Sequence, residues 1–105
     1  MAVIHIVLIK FKPEATTSER QALMTEMNTL RDIPCVRSLS FGENFTHRSE
    51  GYTHALVVGV ETKDDVVAYM IHPIHQAFSA KLATFAESRL AVDFEDQAIP
   101  AAASI

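Results

Sequence analysis

The stretch "VIHIVLIKF", residues 3–11, decides how the rest of the chain is read. Strand alternation sends His5, Val7, Ile9 and Phe11 to one side and Ile4, Ile6, Leu8 and Lys10 to the other, so both sides are mostly apolar. Such a strand is built to be covered twice. The chain's own helices supply one cover, and the other requires a second source of apolar surface.

Working outward, "PEATTSERQ" starts a helix: Ser18 caps it with Gln21 as its capping-box partner, before Leu23, Met27 and Leu30 line one face and "RDIP" ends it. Residues 36–41 read as a second strand and 42–51 as a polar loop. "YTHALVVGV" (52–60) reads as a third strand with His54, Leu56, Val58 and Val60 on one face. Thr62, Asp64 and Asp65 open a second helix that runs to about Ile71, because acidic residues favour a helix N-terminus. Pro73 disfavours helical backbone at His72 yet suits the first position of a new helix, so His72 sits at a junction. A third helix presents Ile74, Phe78, Leu82 and Phe85, and "LAVDF" (90–94) closes as a strand with Leu90, Val92 and Phe94 to one side.

The order β-α-β-β-α-α-β predicts a ferredoxin-like α+β fold: a four-stranded antiparallel sheet with the helices on one face. The other face then carries Ile4, Ile6, Leu8, Ala55 and Val57. A homodimer packed sheet on sheet, forming an α+β barrel, would cover it. Residues 1–96 form the domain, and 97–105, rich in small residues and without periodicity, read as a flexible tail.

Composition agrees with one domain: 105 residues, 49% apolar, with 3 Gly and 4 Pro. A net charge of −4 and the lack of any Lys/Arg run argue against nucleic acid or an anionic membrane as partner. The first apolar stretch is too short to span a bilayer and has no basic leader, which points to a cytoplasmic protein. A single cysteine, Cys35, excludes an internal disulfide and fits a reducing compartment. Its plain reading is a small buried residue.

The chemistry, if any, lies in "YMIHPIH", residues 69–75. His72 and His75 have a spacing that metals accept, but they straddle a proline, lack the glutamate of an H-E-x-x-H motif and have no cysteine nearby, so no metal is expected. His72 reads as a helix cap. His75, one turn into the third helix, looks toward Phe78 and Leu82; burial and the positive helix end both favour a neutral ring, which suits a general base. Tyr69 could offer its phenol to an oxygen that gains charge. His5 and His54 lie among aliphatics on their strands and read either as satisfied core histidines or as two rings lining a pocket. His47, beside Arg48 in the polar loop, reads as solvent-exposed, and Met24, Met27 and Met70 as core or pocket wall.

"HIVLIKFK", "EGYTHALVV" and "YMIHPIHQAF" together resemble the dimeric α+β barrel, or stress-responsive A/B barrel, family over roughly residues 1–94. The first and third motifs mark the fold; "EGYTH" is more discriminating and resembles the family's polyketide-cyclising members. The resemblance implies that Tyr69 and His75 catalyse an intramolecular aldol condensation of a linear poly-β-keto thioester or acid, without cofactor or metal. It also implies substrate contacts from His5, His54, Val7, Ile9, Leu23, Met24, Met27, Val58, Phe78 and Leu82, a homodimer, and coupling to a polyketide synthase. Where the cyclases carry aromatic side chains on the first helix, this chain has Leu23, Met24 and Met27. Two other readings stay open: a non-enzymatic oligomeric stress protein in which "HPIH" only joins two helices, and a cofactor-independent oxygenase of related fold, which zero Trp weakens.

Overall fold

The computed structural model describes residues 2–97. β1 (Val3–Phe11) pairs antiparallel with β3 (His54–Val60) on one side and with β4 (Ala86–Glu95) on the other, and β2 (Ser38–Glu43) pairs antiparallel with β3. The strand order is therefore β2-β3-β1-β4, with β1 inside the sheet and β4 at an edge. With α1 (Thr17–Met27), α2 (Lys63–Ile71) and α3 (Pro73–Phe85), this is the ferredoxin-like α+β architecture that the element order predicts. Of the tail expected at 97–105, residues 98–105 lie outside the described residues. Among the described residues no helix is long and apolar enough to cross a membrane.

The inward side of β1 buries Val3, His5, Ile9 and Phe11 beside Leu56, Val58 and Val60 of β3. Leu23 and Met27 of α1, Tyr69 of α2, and Phe78 and Leu82 of α3 close the core from above. Leu30, in a short 3-10 turn over Asn28–Asp32, is fully sealed within it.

Several boundaries differ from expectation: β3 begins at His54 rather than 52, and the differences at α1, β2 and β4 have local reasons. The cap of α1 is Thr16, whose hydroxyl accepts from Glu19 N–H while the Glu19 carboxylate accepts from Thr16 N–H. The Ser18 and Gln21 pair has the same spacing, but an ionised partner in the first turn also meets the helix dipole. β2 begins at Ser38 and runs to Glu43, two residues into the expected loop, because Gly42 and Glu43 pair with Ala55 and His54. β4 starts at Ala86 rather than 90; the polar residues 87–89 hide a strand that pairs with the end of β1.

The outward sheet face is apolar along two strands. Ile4 pairs with Phe94, Ile6 with Val92 and Leu8 with Leu90, and in the single chain Leu90, Val92 and Phe94 are 46%, 50% and 44% exposed.

At the α2–α3 junction Pro73 takes the first helical position, and His72 adopts an extended backbone (φ −63°, ψ 138°). Its Nδ1 accepts a hydrogen bond from Ile74 N–H at 3.1 Å, capping α3 as a Ser or Asn would. His72→Ala removes that cap and is expected to lower unfolding stability by about 0.5–2 kcal/mol. A denaturation midpoint unchanged from the parent would show that the cap contributes nothing.

Candidate functional site

His75 uses the same junction in the opposite sense. Its Nδ1 lies 3.0 Å from the carbonyl oxygen of Met70, one of the last-turn carbonyls of α2 that the helix leaves without an N–H partner. A carbonyl only accepts, so Nδ1 carries the proton and Nε2 keeps its lone pair. The bond that joins the helices thereby fixes the tautomer.

That ring borders a cavity of about 260 Å³ between the helical layer and the β1–β4 side of the sheet. Tyr69 lies between two imidazoles: its ring centroid is 4.7 Å from that of His75 and 5.5 Å from that of His5. His5 in turn donates from Nδ1 to the Asp93 carboxylate, its cross-strand partner on β4, at 2.5 Å. The carboxylate orients His5 much as the Met70 carbonyl orients His75.

Electrostatics sharpen the difference between phenol and base. Burial is the largest influence on His75 and holds its pKa below the ordinary imidazole value; His5 and Arg89 push the same way, and the bond to Met70 opposes them. Burial also drives the Tyr69 phenol well above its usual range, with the Cys35 thiol adding to the effect. Near neutral pH the site therefore holds a neutral imidazole beside a protonated phenol. Tyr69 is almost fully buried, and its side chain borders the cavity.

Of the residues singled out by sequence, the structure brings His5, Val7, Tyr69, His75, Phe78 and Leu82 to this cavity. It does not bring the others there. Ile9, Leu23, Met27 and Val58 are sealed in the core, and Met24 packs half-buried against it. His54 has the inward parity expected of it, but it pairs with Ile9 whereas His5 pairs with Val58. Four residues along a strand separate the two by about 13 Å. His54 instead bonds Thr53 Oγ1 at 2.9 Å, meets Phe11 edge-on and borders a second depression with Glu43 and Tyr52.

The cavity also has walls that sequence reasoning missed: Leu56, Ser79, Arg89 and Ala91. Arg89 and Ala91 share the inward side of β4 with Asp93, a parity that the expected start at 90 cut short. Met70, read as core or wall, lines the cavity while remaining 44% exposed. Among the described residues no group of three or more His, Cys, Asp or Glu side chains could hold a metal ion.

A ferredoxin-like sheet with an apolar outer face and a histidine-lined cavity beneath its helices defines the class. The chain belongs to the stress responsive A/B barrel domain family, whose pattern matches residues 3–96. It is 33% identical over 97 residues to olivetolic acid cyclase of Cannabis sativa, covering 90% of this chain and 96% of that one. It is 32% identical over 98 residues to a stress-response A/B barrel domain-containing protein of Arabidopsis thaliana, covering 90% and 86%. Among solved structures it resembles a dimeric ferredoxin-like protein of unknown function from Thermobifida fusca, with a TM-score of 0.80, 28% identity and 90% of each chain covered.

The buried rings make stability depend on pH. Burial lowers the pKa of both His54 and His75, so below about pH 6.5 the unfolded chain binds protons that the folded one refuses. Stability is then complete above the ordinary imidazole value and lost as the pH falls through it. Melting temperatures recorded from pH 7.5 down to 5 should decline, and less steeply in His54→Asn; equal slopes would show that His54 titrates normally.

Proposed function

We propose that this protein is a cofactor-independent polyketide cyclase that closes a linear poly-β-keto chain by intramolecular aldol condensation. The single observation that carries this reading is the His75 tautomer: Nδ1 is committed to the Met70 carbonyl, which leaves an accepting Nε2 on the ring that borders the Tyr69 cavity. The similarity to olivetolic acid cyclase supports it.

In the proposed reaction His75 Nε2 takes a proton from a methylene flanked by two carbonyls. Tyr69 donates its phenolic hydrogen to the oxygen that gains charge as the enolate forms. The carbanion attacks a ketone carbon of the same chain, a C–C bond forms, and the alkoxide takes its proton back from the imidazolium. Such acid–base help is worth about 100- to 10,000-fold, and confinement in the cavity adds orientation. Leu56, Phe78 and Leu82 offer the alkyl part of the chain an apolar wall.

The same reading includes a homodimer through the outward sheet face. Its support is the exposed row of Leu90, Val92 and Phe94 beside Ile4, Ile6 and Leu8, and the dimeric state of the Thermobifida fusca protein. Ile6→Glu would bury an unpaired carboxylate there and is expected to give monomer or insoluble protein. A parent sedimentation mass of one chain at micromolar concentration would refute the dimer.

The test of the reaction pairs the protein with a type III polyketide synthase and a set of acyl starters, with products read by mass spectrometry. His75→Asn is the informative variant, because an amide nitrogen at the Nδ1 position can still donate to the Met70 carbonyl while the base is gone. Product formation is expected to fall at least tenfold with the fold retained, and Tyr69→Phe to show a comparable drop. The rate should have an acid limb with a midpoint below the ordinary imidazole value of about 6.5, because burial depresses His75. Cyclisation at the parent rate in both variants would leave the motif as a helix joint in a non-enzymatic barrel protein.

A further inference from the structure

Among the residues that line the cavity, Arg89 is the one that carries a permanent charge. It reaches from the edge strand to α3, where its Nη1 donates to Ser79 Oγ at 3.1 Å. Ser79 lies one turn beyond His75, so a helical pair of this kind sets their Cβ atoms about 5–6 Å apart. The guanidinium is thus tied to the face of α3 that bears the candidate base.

Among the described residues no carboxylate answers it. The contacts between basic side chains and carboxylates among the described residues join His5 to Asp93, Arg37 to Glu61, Lys63 to Glu95 and Lys81 to Glu26, and none includes Arg89. Asp93, the acid on the same side of β4, is held by His5 two positions beyond Ala91. A guanidinium has five N–H donors in a planar fork that matches a carboxylate, and one serine leaves most of them uncommitted. The adjoining wall of Leu56, Phe78 and Leu82 offers nothing to a charge but accommodates a hydrocarbon chain.

We propose that Arg89, held by Ser79, is a carboxylate-binding subsite of this cavity, and that the ligand is a chain-like organic acid gripped by its anionic head with its apolar part against α3. The proposal rests on the reading of this cavity as the substrate site and deepens it: the form of substrate engaged is the free keto acid, and the carboxylate at Arg89 fixes which methylene comes to His75. A neutral ester or thioester in the same place would leave the guanidinium without a counter-charge.

The experiment compares octanoate with octanamide, which share shape and differ in charge, by isothermal titration against the full chain at pH 7.5 and low salt. Octanoate is expected to bind at least tenfold more tightly. In Arg89→Gln, which can still donate to Ser79, the two ligands should differ by less than twofold while octanamide binds as it does to the parent. Melting curves and sedimentation check that the variant keeps its fold and assembly. Octanoate that binds no tighter than octanamide to the parent, or a preference that survives in Arg89→Gln, overturns the proposal. The assay reads binding alone, so it separates the two ideas. A protein that cyclises nothing but keeps an Arg89-dependent preference sinks the reaction and supports the subsite, and one that cyclises without the preference does the reverse.

Discussion

Pro73 is the constraint on which the site depends. Its ring keeps the preceding residue out of helical backbone, so α2 ends at Ile71 and α3 begins at once, with only His72 between them. Two helix ends meet there, one with N–H groups to satisfy and one with carbonyls. His72 accepts from the first and His75 donates to the second, and neither imidazole can exchange its role without a change of tautomer. The accepting Nε2 of His75 is thus a consequence of how the chain turns the corner. Remove the proline and let one helix run through, and the Met70 carbonyl would be taken by backbone, freeing the ring to choose.

The edge strand β4 shows a second constraint, in the reversal of its polarity. In a monomeric two-layer protein the residues beneath the helices are apolar and those facing water are polar. β4 has Arg89, Ala91 and Asp93 on the helical side and Leu90, Val92 and Phe94 on the open side. Both halves of the inversion have a physical reason. The helical side of this strand borders a cavity, where charge can reach water or a ligand, and Ala91 is small enough to leave room opposite Val7. The outward side continues the apolar row of β1, where only a further apolar surface would relieve the exposure.

How far the sequence could be read follows from the same two places. The two-sided apolar strand at residues 3–11 and the proline after His72 were legible, because each depends on local chemistry: side-chain parity in one case, the proline ring in the other. The order of elements and the ferredoxin-like sheet follow from them. What stayed hidden depends on register. Parity puts His5 and His54 on the same side of the sheet, but the pairing of β1 with β3 that draws them apart is a property of the pair. Arg89 was missed because "AESR" looks polar and strandless until it is laid against Lys10 and Ile9. The cap at Thr16 was two residues off because "TTSERQ" holds overlapping candidates of equal spacing, and only the charge on Glu19 separates them.

Register also bears on what the cavity can hold. On the first helix Leu23, Met24 and Met27 stand where the resemblance implies aromatic side chains in the cyclases, which gives the expectation of a more pliable pocket. In the folded chain Leu23 and Met27 are almost fully sealed within the core rather than facing open space. Their softness is absorbed by the core, since a buried thioether or leucine fills an irregular gap without leaving a void. The cavity lies elsewhere, where Phe78, Leu82 and His75 of α3 and Arg89 and Ala91 of β4 are among its walls. On the proposed function, the residues that would select among substrates are those at positions 78, 82, 89 and 91, and a change at 23 or 27 would reach a ligand through the helix that packs on α3.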